Sequence, residues 1–402
     1  MNSLGASFSR LWSASLITNL ADGVIITAAP LLAVSLTNDP VLIAALSACI
    51  TLPWLLLAIP IGVIVDKYDR RYLIATANGV RFLVAASIAL AIATHTITIY
   101  WLFLTTFIIG TCEVLADTSA QALIPSILDS SQYEKGNSRL QISETVVQGF
   151  IGTPISGFLY AAAIYLPFIA NSAGFFIAAL LTLSIPPVVA ANLKEKSNET
   201  FRSQLKFGLT YLIKDKNLLR IVLTTGSVGF WFSVANSTNV LFVLKELHLA
   251  KSLFGVMLAI QSIGAISGGI LAPKLSTKFG RGKVMAASIV TSSIIMILTG
   301  FTPNIIIFVA LTTISSFSIS IWNVLLMASY QDRIPTDLYG RVHGARRTFV
   351  WGVMPIGSLL GGFIAHASLR IPIVIGGIFS TIISLASVNF ILRFAHLKEN
   401  VI

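Results

Sequence analysis

The sequence predicts an all-α integral membrane protein of twelve transmembrane helices. The 402 residues are 55% hydrophobic and only 11% charged, whereas soluble domains carry roughly 25% charged residues. Apolar stretches of about 20 residues recur along the chain, and each is long enough to cross a hydrocarbon core as a helix. Lys and Arg are concentrated in alternate connections, as expected of a chain that crosses a bilayer repeatedly.

The spans follow from the apolar stretches and the polar connections between them. Helices are expected because they satisfy their own backbone hydrogen bonds in lipid. The N-terminal stretch does not end in a small-residue cleavage site, so it is predicted to be a retained first helix rather than a signal peptide. The predicted spans cover about 8–35, 41–65, 72–94, 98–123, 140–163, 167–190, 220–243, 252–274, 283–301, 304–328, 341–365 and 371–394.

The 27 Lys and Arg residues determine the predicted orientation. Of these, 23 lie on one side, three (Lys245, Lys251 and Arg370) lie on the other, and Arg81 lies within a span. The positive-inside rule therefore predicts a multi-pass protein with both termini in the cytoplasm. Topology explains the net charge of +11, and no nucleic-acid partner is predicted.

The chain is predicted to consist of two halves. An N-terminal six-helix bundle (1–192) and a C-terminal six-helix bundle (220–402) flank a cytoplasmic linker with an amphipathic segment (193–219). Gly152-Thr-Pro-Ile-Ser-Gly-Phe158 in the fifth span has a counterpart in Gly357-Ser-Leu-Leu-Gly-Gly-Phe363 in the eleventh. Such a repeat predicts a pseudo-twofold axis along the membrane normal, with a site between the halves.

The connection after the second span carries the most specific motif, whose matching residues are Gly62, Asp66, Lys67, Arg70 and Arg71. It resembles the cytoplasmic signature of the major facilitator superfamily, G-x-x-x-D-[RK]-x-G-[RK]-[RK], with Asp69 in place of the usual glycine. A weaker copy follows the eighth span, at 277–283. The resemblance covers essentially the whole chain and implies two pseudo-symmetric six-helix bundles.

Further motifs make the chain similar to one branch of that superfamily. These are Asn19-Leu-Ala-Asp22-Gly23 in the first span and Pro335…Gly340-Arg341 before the eleventh. They resemble the drug:proton antiporters that include enterobactin exporters and macrolide efflux proteins. The resemblance implies a monomeric secondary transporter in a bacterial plasma (inner) membrane. It also implies a proton gradient as the energy source and no bound cofactor.

The resemblance assigns a gating role to the loop signature. Asp66 is expected to cap the N-terminal end of the eleventh span. Arg70 is expected to reach Asp117, near the cytoplasmic end of the fourth span. These contacts would hold the halves together on the cytoplasmic side and break when that side opens. In the alternative interpretation, the charges only retain the loop in the cytosol.

The fifth span contains Gly152, Pro154 and Gly157, a loose form of the glycine–proline motif associated with antiporters. Small residues allow close helix approach, and Pro154 permits a kink. Helix packing alone would also explain this pattern. Thr106 occupies the position of the arginine that many proton antiporters carry in span four, so proton coupling through that arginine is not predicted.

Ionisable residues inside spans are costly and need a partner, a cavity or a function. Asp22 lies near the middle of the first span and is a candidate for proton coupling or substrate contact; the alternative is a structural hydrogen bond to Asn19 or to a neighbouring helix. Glu113 and Asp117 share one face of the fourth span. Arg81 is a candidate partner for either of them. Glu113 is the second candidate proton site, or else a structural partner of Arg81.

Polar and aromatic residues of the second half are candidates for the wall of a substrate cavity. Aromatic rings with a few amides suit an amphipathic ligand better than a sugar, although helix packing would also account for each residue. The candidates are Phe230, Trp231, Asn236, Asn239, Gln261, Trp322 and Asn323.

The leading hypothesis is a proton-coupled exporter of a small amphipathic compound, such as a drug, a macrolide or a siderophore, that works by alternating access. An importer or uniporter, a divalent-metal exporter and a membrane sensor without flux remain alternatives. Cys49 and Cys112 lack metal-ligand spacing, and no metal site is predicted. No Ser/His/Asp grouping in the spans, H-E-x-x-H motif or phosphate-binding glycine loop occurs, so the protein is not predicted to be an enzyme.

Overall fold

The computed structural model describes residues 4–129, 132–133, 136, 139–140, 143–186, 210–334, 342, 346 and 349–394. The side chains of Asp66 and four other residues (58, 59, 145 and 331) lie outside this description. Most of the predicted linker, together with Pro335, Gly340 and Arg341, also lies outside the described residues.

The chain forms two compact units. The first unit comprises Met1–Thr37, Leu52–Phe201 and Ala250–Ala259. The second comprises Asn38–Thr51, Arg202–Leu249 and Ile260–Ile402. Each unit therefore consists mainly of one half of the chain and includes one short segment of the other half.

Among the residues that the structure describes, the first half contains seven α-helices and one π-helix. In chain order they are α1 (Gly5–Leu36), α2 (Pro40–Leu56), α3 (Ala58–Lys67), α4 (Arg70–Ala93), α5 (Ile99–Ile127), π1 (Ser143–Gly152), α6 (Thr153–Ala162) and α7 (Leu166–Leu183). The second half follows with α8 (Lys216–Asn236), α9 (Asn239–Leu241), π2 (Phe242–Glu246), α10 (Lys251–Phe279), α11 (Arg281–Gly300), α12 (Ile305–Gln331), α13 (Met354–Ala365) and α14 (Ile371–Phe394).

These helices confirm the predicted all-α membrane fold. Within the described part of the chain, nine helices are long and apolar enough to cross a membrane. The three shorter apolar helices, Pro40–Leu56, Val146–Ala162 and Phe349–Ala365, coincide with the predicted second, fifth and eleventh spans. All twelve predicted spans therefore coincide with apolar helices.

Prolines explain two interruptions that the span prediction did not contain. The second span divides at Leu57, between α2 and α3, because the ring of Pro60 clashes with the carbonyl of Leu56 in a continuous helix. The fifth span begins as π1 and becomes α6 at Thr153. Pro154 lacks the N–H that would bond to the carbonyl of Phe150. The change from π-helix to α-helix therefore lies next to Pro154, where a kink is predicted.

In each unit, close glycine contacts join the main body to the short segment from the other half of the chain, which is Ala250–Ala259 in the first unit and Asn38–Thr51 in the second. In the first unit, a Cβ atom added to Gly157 of α6 would lie 2.6 Å from the Ser252 carbonyl oxygen of α10. In the second unit, a Cβ atom added to Gly362 of α13 would lie 2.6 Å from the Cβ of Ala44 of α2. Gly157 and Gly362 are the corresponding residues of the two motif copies. The repeat seen in the sequence thus places a close glycine contact at the same position in each unit.

Candidate functional site

A buried ionic group lies inside the first unit. The Nη2 atom of Arg81 on α4 is 2.6 Å from Oδ1 of Asp22 on α1 and 3.7 Å from Oε2 of Glu113 on α5. The Arg81 side chain is 2% exposed, that of Asp22 is 11% exposed and that of Glu113 is 30% exposed. The Arg81 guanidinium also stacks over the ring of Phe175 on α7, 4.2 Å from its centroid. Four helices therefore supply the immediate surroundings of one buried cation.

The charges of this group are unequal. Arg81 contributes one positive charge, whereas Asp22 and Glu113 together contribute two negative charges when both are ionised. The unpaired charge is costly at this depth, and one bound proton would remove it. One buried cation therefore faces two carboxylates in this group.

Backbone contacts position Asp22 on α1. The side-chain amide of Asn171 on α7 donates a hydrogen bond to the Ala21 carbonyl at 2.6 Å, and the Ser156 hydroxyl on α6 donates to the Val24 carbonyl at 2.7 Å. Gly23 packs directly on the end of π1, where a Cβ atom would lie 3.0 Å from the Cα of Gly152. These contacts fix the backbone on both sides of Asp22.

The sequence identified the members of this group but not all of their partners. The sequence predicts Glu113 as a candidate partner of Arg81, and the Glu113 carboxylate lies 3.7 Å from the Arg81 guanidinium. The closer pair, Asp22 with Arg81, joins residues 59 positions apart and had no sequence signal. Asn19 donates to the backbone and side-chain oxygens of Ser15, at 2.8 and 3.1 Å, within its own helix. Asp117 lies one turn beyond Glu113 and is exposed.

The loop signature begins α4. Asp69 is the N-cap residue: its carboxylate accepts a hydrogen bond from the backbone N–H of Arg71 at 2.9 Å and further bonds from the Arg71 guanidinium. The hydrogen bond from the Arg71 side chain is the main reason that the pKa of Asp69 is lower than its ordinary value. Aspartate is a better N-cap than glycine, so the departure at Asp69 from the superfamily signature strengthens the start of this helix.

Two arginines bind the C-terminal end of α7. Arg71 donates to the Ile185 carbonyl at 2.8 Å, and Arg10 donates to the Ser184 carbonyl. The last carbonyls of a helix lack partners within the helix and attract cations. Lys67, by contrast, is exposed.

The signature and its weaker copy make equivalent contacts in the two units. Arg70, the first residue of α4, donates to the Ser126 hydroxyl near the end of α5 at 3.2 Å. Arg281, the first residue of α11, pairs with Asp332 just after α12. Arg70 thus binds the end of the helix that carries Asp117; direct contact between Arg70 and Asp117 remains a prediction.

A second buried ion pair was missed by the sequence analysis. Arg333, just beyond α12, donates to both carboxylate oxygens of Asp215 at 2.9 and 3.0 Å. Asp215 also caps α8 by accepting from the backbone N–H groups of Asn217 and Leu218. An aspartate directly before an apolar run is a helix-start signal, so the cap was recognisable, but no local pattern indicates Arg333.

Two neighbouring cavities lie within the second unit. The smaller cavity, of about 90 Å³, is lined by three predicted candidates: Asn236, Asn239 and Gln261. The larger, of about 210 Å³, is lined by two further candidates, Trp322 and Asn323. Phe232, Met296 and Ile319 border both cavities.

The remaining two cavity candidates pack elsewhere. Trp231 stacks on Phe379 of α14, with ring centroids 4.2 Å apart and ring planes 9° apart. Phe230 meets the edge of Trp231 at a centroid distance of 5.3 Å. Neither residue borders either of the two cavities. Helix packing, the alternative interpretation, accounts for both rings.

No group of three or more His, Cys, Asp or Glu residues that could hold a metal ion occurs in the described part of the chain. Asp22 and Glu113 flank a cation already supplied by the protein, namely Arg81.

Known structures share this fold. A bacterial homologue of the iron transporter ferroportin aligns over 98% of this chain and 100% of its own, with a TM-score of 0.75 and 13% identity. The nucleoside transporter NupG aligns over 98% and 100%, with a TM-score of 0.71 and 15% identity. At these identities the likeness concerns the fold alone.

Sequence relatives include efflux proteins. Macrolide efflux protein A of Streptococcus pyogenes is 22% identical over 374 residues, which is 90% of each chain. The protein of the same name from Enterococcus faecalis is 24% identical over 316 residues, or 76% of this chain and 95% of that protein. The family model described as transmembrane secretion effector matches residues 5–400. This match, together with the fold, shows that the chain is a multi-pass membrane transporter, not an enzyme, and belongs to the transmembrane secretion effector family of the major facilitator superfamily.

Proposed function

We propose that this transporter is a proton-coupled exporter of a small amphipathic compound. The observation that carries the proposal is the buried group of Asp22, Arg81 and Glu113, in which one cation faces two carboxylates. When Asp22 is ionised, it holds the Arg81 guanidinium. Protonation of Asp22 weakens that pair and leaves Arg81 to Glu113, 3.7 Å away. Protonation thereby changes whether the ion pair of Arg81 joins α4 to α1 or to α5.

This exchange of partners supplies a basis for coupling. Asp22, Arg81 and Glu113 lie on α1, α4 and α5, so a change of pairing alters the forces between three helices of one unit. Alternating access requires that proton binding favour one arrangement of the transporter over another. In the proposed cycle, protonation favours release of substrate on the outer side and the return of the empty carrier.

The relatives favour efflux and a bacterial plasma membrane. Two of them are named macrolide efflux proteins and come from bacteria, so a macrolide, another drug or a siderophore are the first compounds to test. The protein is proposed to act as a monomer, with its termini in the cytoplasm as the distribution of Lys and Arg indicates. The loop signature, including Asp66 and Arg70, is proposed to act as a cytoplasmic gate.

Reconstitution into proteoliposomes tests the coupling. Proton movement is recorded with an internal pH dye after addition of macrolides, cationic drugs, catecholate siderophores or divalent metals. Wild-type protein is compared with Asp22→Asn and with the control Glu246→Gln, which changes an exposed carboxylate paired with Arg370. We expect a substrate-dependent proton signal in wild type and Glu246→Gln and none in Asp22→Asn.

Other outcomes identify the alternatives. Labelled substrate that moves without a proton signal would reject coupling and indicate a uniporter. Proton movement driven by divalent metals would indicate a metal exporter. Binding of a compound without flux would indicate a sensor. For the gate, the double variant Asp66→Ala/Arg70→Ala is expected to change the transport rate, and an unchanged rate would reject the gating role.

A further inference from the structure

The exposed Arg220 joins the beginning of α8 to the end of α14. Its guanidinium lies over the ring of Phe390, 4.6 Å from the ring centroid. One turn further along α8, the Thr224 hydroxyl lies 3.3 Å from the hydroxyl of Ser387, which precedes Phe390 on α14. The two helices therefore run antiparallel, and the residues before Arg220 lie beside the residues after Phe390.

Two further cations lie at this end of the helix pair. Lys216 lies one turn before Arg220 on α8, and Arg393 lies one turn after Phe390 on α14, so the antiparallel packing brings both to the same end. The side chains of Lys216 and Arg393 are exposed, as is that of Arg220. These three residues form the α8–α14 basic cluster.

The basic cluster has no acidic partner in the part of the chain that the structure describes. There, none of its three side chains forms an ion pair or donates a hydrogen bond. The neighbouring Asp215 is already engaged, because both of its carboxylate oxygens accept from Arg333. Elsewhere on the same predicted side, Arg281 is paired with Asp332. Three unpaired cations repel one another, and an anion shared among them would remove that repulsion.

Exposed apolar side chains continue from the basic cluster along both helices. On α8, Leu223 lies one turn after Arg220 and is exposed. On α14, Ile382 and Leu385 precede Arg393 on the exposed side of the helix and are also exposed. The surface thus has a charged end at the predicted cytoplasmic face and an apolar length within the bilayer. A phospholipid has the same two parts: a phosphate at the membrane surface and acyl chains that run along the helices.

From these features we infer that the α8–α14 basic cluster binds the phosphate of an anionic phospholipid, whose acyl chains lie along Leu223, Ile382 and Leu385. A zwitterionic lipid gains less from three cations, because its ammonium group is repelled by them. The positive-inside rule explains why cations lie on this side. It does not explain why three unpaired cations meet at one helix contact above an apolar surface. Lipid binding here is independent of the proposed proton coupling.

Native mass spectrometry of the full-length protein in uncharged detergent micelles tests the inference. The probes are dioleoylphosphatidylglycerol, which is anionic, and dioleoylphosphatidylcholine, which has the same acyl chains and no net charge. We expect the Kd of phosphatidylglycerol to be at least about fivefold lower, since one cation near an anionic membrane surface contributes about that much. The double variant Arg220→Gln/Arg393→Gln should lose this preference.

Two further double variants separate the role of this site from net charge and from folding. Lys274→Gln/Lys278→Gln removes two positive charges from exposed side chains of α10 on the same predicted side, and it should keep the preference for phosphatidylglycerol. Arg220→Lys/Arg393→Lys retains both charges of the basic cluster and should keep it as well. Equal affinity of the wild type for the two lipids, or equal losses in the two glutamine variants, would overturn the inference.

A third probe distinguishes a lipid from a free anion. Glycerophosphoglycerol carries the phosphate of phosphatidylglycerol but no acyl chain, so it should bind at least about tenfold more weakly, because it buries no apolar surface. Binding as tight as that of the lipid would overturn the lipid assignment and indicate a site for free phosphate compounds. Should Arg220→Gln/Arg393→Gln fail to fold, the three probes on the wild type still decide between these outcomes.

Discussion

Gly23 of α1 and Gly152 of π1 pack face to face. A Cβ atom added to Gly152 would lie 2.9 Å from the Cα of Gly23, and one added to Gly23 would lie 3.0 Å from the Cα of Gly152. Neither position can accept a side chain without a shift of the backbone. Since Asp22 directly precedes Gly23, this contact fixes the position of α1 at which the Asp22 carboxylate meets Arg81.

Gly23→Ala is expected to destabilise the protein by about 1–3 kcal/mol, the usual cost of overpacking. The added methyl group overlaps the backbone at Gln148 and pushes α1 away from π1. Thermal unfolding of the purified protein in nanodiscs measures the effect. The control Gly79→Ala adds the same methyl group in open space and should keep or slightly raise the melting temperature. Equal behaviour of the two variants would contradict the packing argument.

The Asp22–Arg81 pair predicts a non-additive double-mutant cycle. Arg81→Met leaves a buried carboxylate without its cation, which costs about 3–5 kcal/mol. Adding Asp22→Asn removes that carboxylate charge, so the double variant should be more stable than Arg81→Met alone. Unfolding of the single and double variants measures the coupling. Additive losses would indicate that the two groups do not depend on each other in the folded protein.

Asp69 predicts a dependence of stability on acid pH. Its folded pKa is lowered, so ionised Asp69 stabilises the fold fully above the ordinary value of 3.8, and this contribution is lost as pH falls through the lower folded pKa. Asp69→Asn keeps a capping side chain but loses the charge. We expect a stability difference between wild type and Asp69→Asn of less than about 1 kcal/mol, constant from about pH 5 to 7 and shrinking below about pH 4. A difference that grows on acidification would refute this assignment.

Gly280 predicts a backbone effect at the weaker copy of the signature. Its φ of +89° and ψ of 134° lie in a region that is strained for any residue with a Cβ atom. Gly280→Ala should therefore cost about 1–3 kcal/mol, although the added methyl group meets no atom within 4 Å. The same unfolding measurement tests this, again with Gly79→Ala as control. A neutral result would mean that the residue can adopt another conformation at the start of α11.

The sequence predicted the spans well because apolar length and flanking charge decide them locally. It also identified Asp22, Arg81 and Glu113, since a charge within an apolar run is visible without a structure. It did not predict that Arg81 lies closest to Asp22, because that depends on the rotation of α4 against α1. For the same reason it included Phe230 and Trp231 among the cavity candidates: a helix has several faces, and composition alone does not tell which face borders a cavity.

The short segments that each unit takes from the other half of the chain, Ala250–Ala259 and Asn38–Thr51, have a consequence for biosynthesis. Gly157 of the first unit packs against residues around Ser252, which the ribosome makes about a hundred residues later. Residues 38–51 are among the first to enter the membrane, yet their partner Gly362 lies near the end of the chain. Neither unit can therefore complete its packing when its own half has been synthesised. The contact of Gly157 can form once the residues around Ser252 are made, whereas the surface of α2 that packs on Gly362 stays uncovered in the bilayer until translation is almost finished.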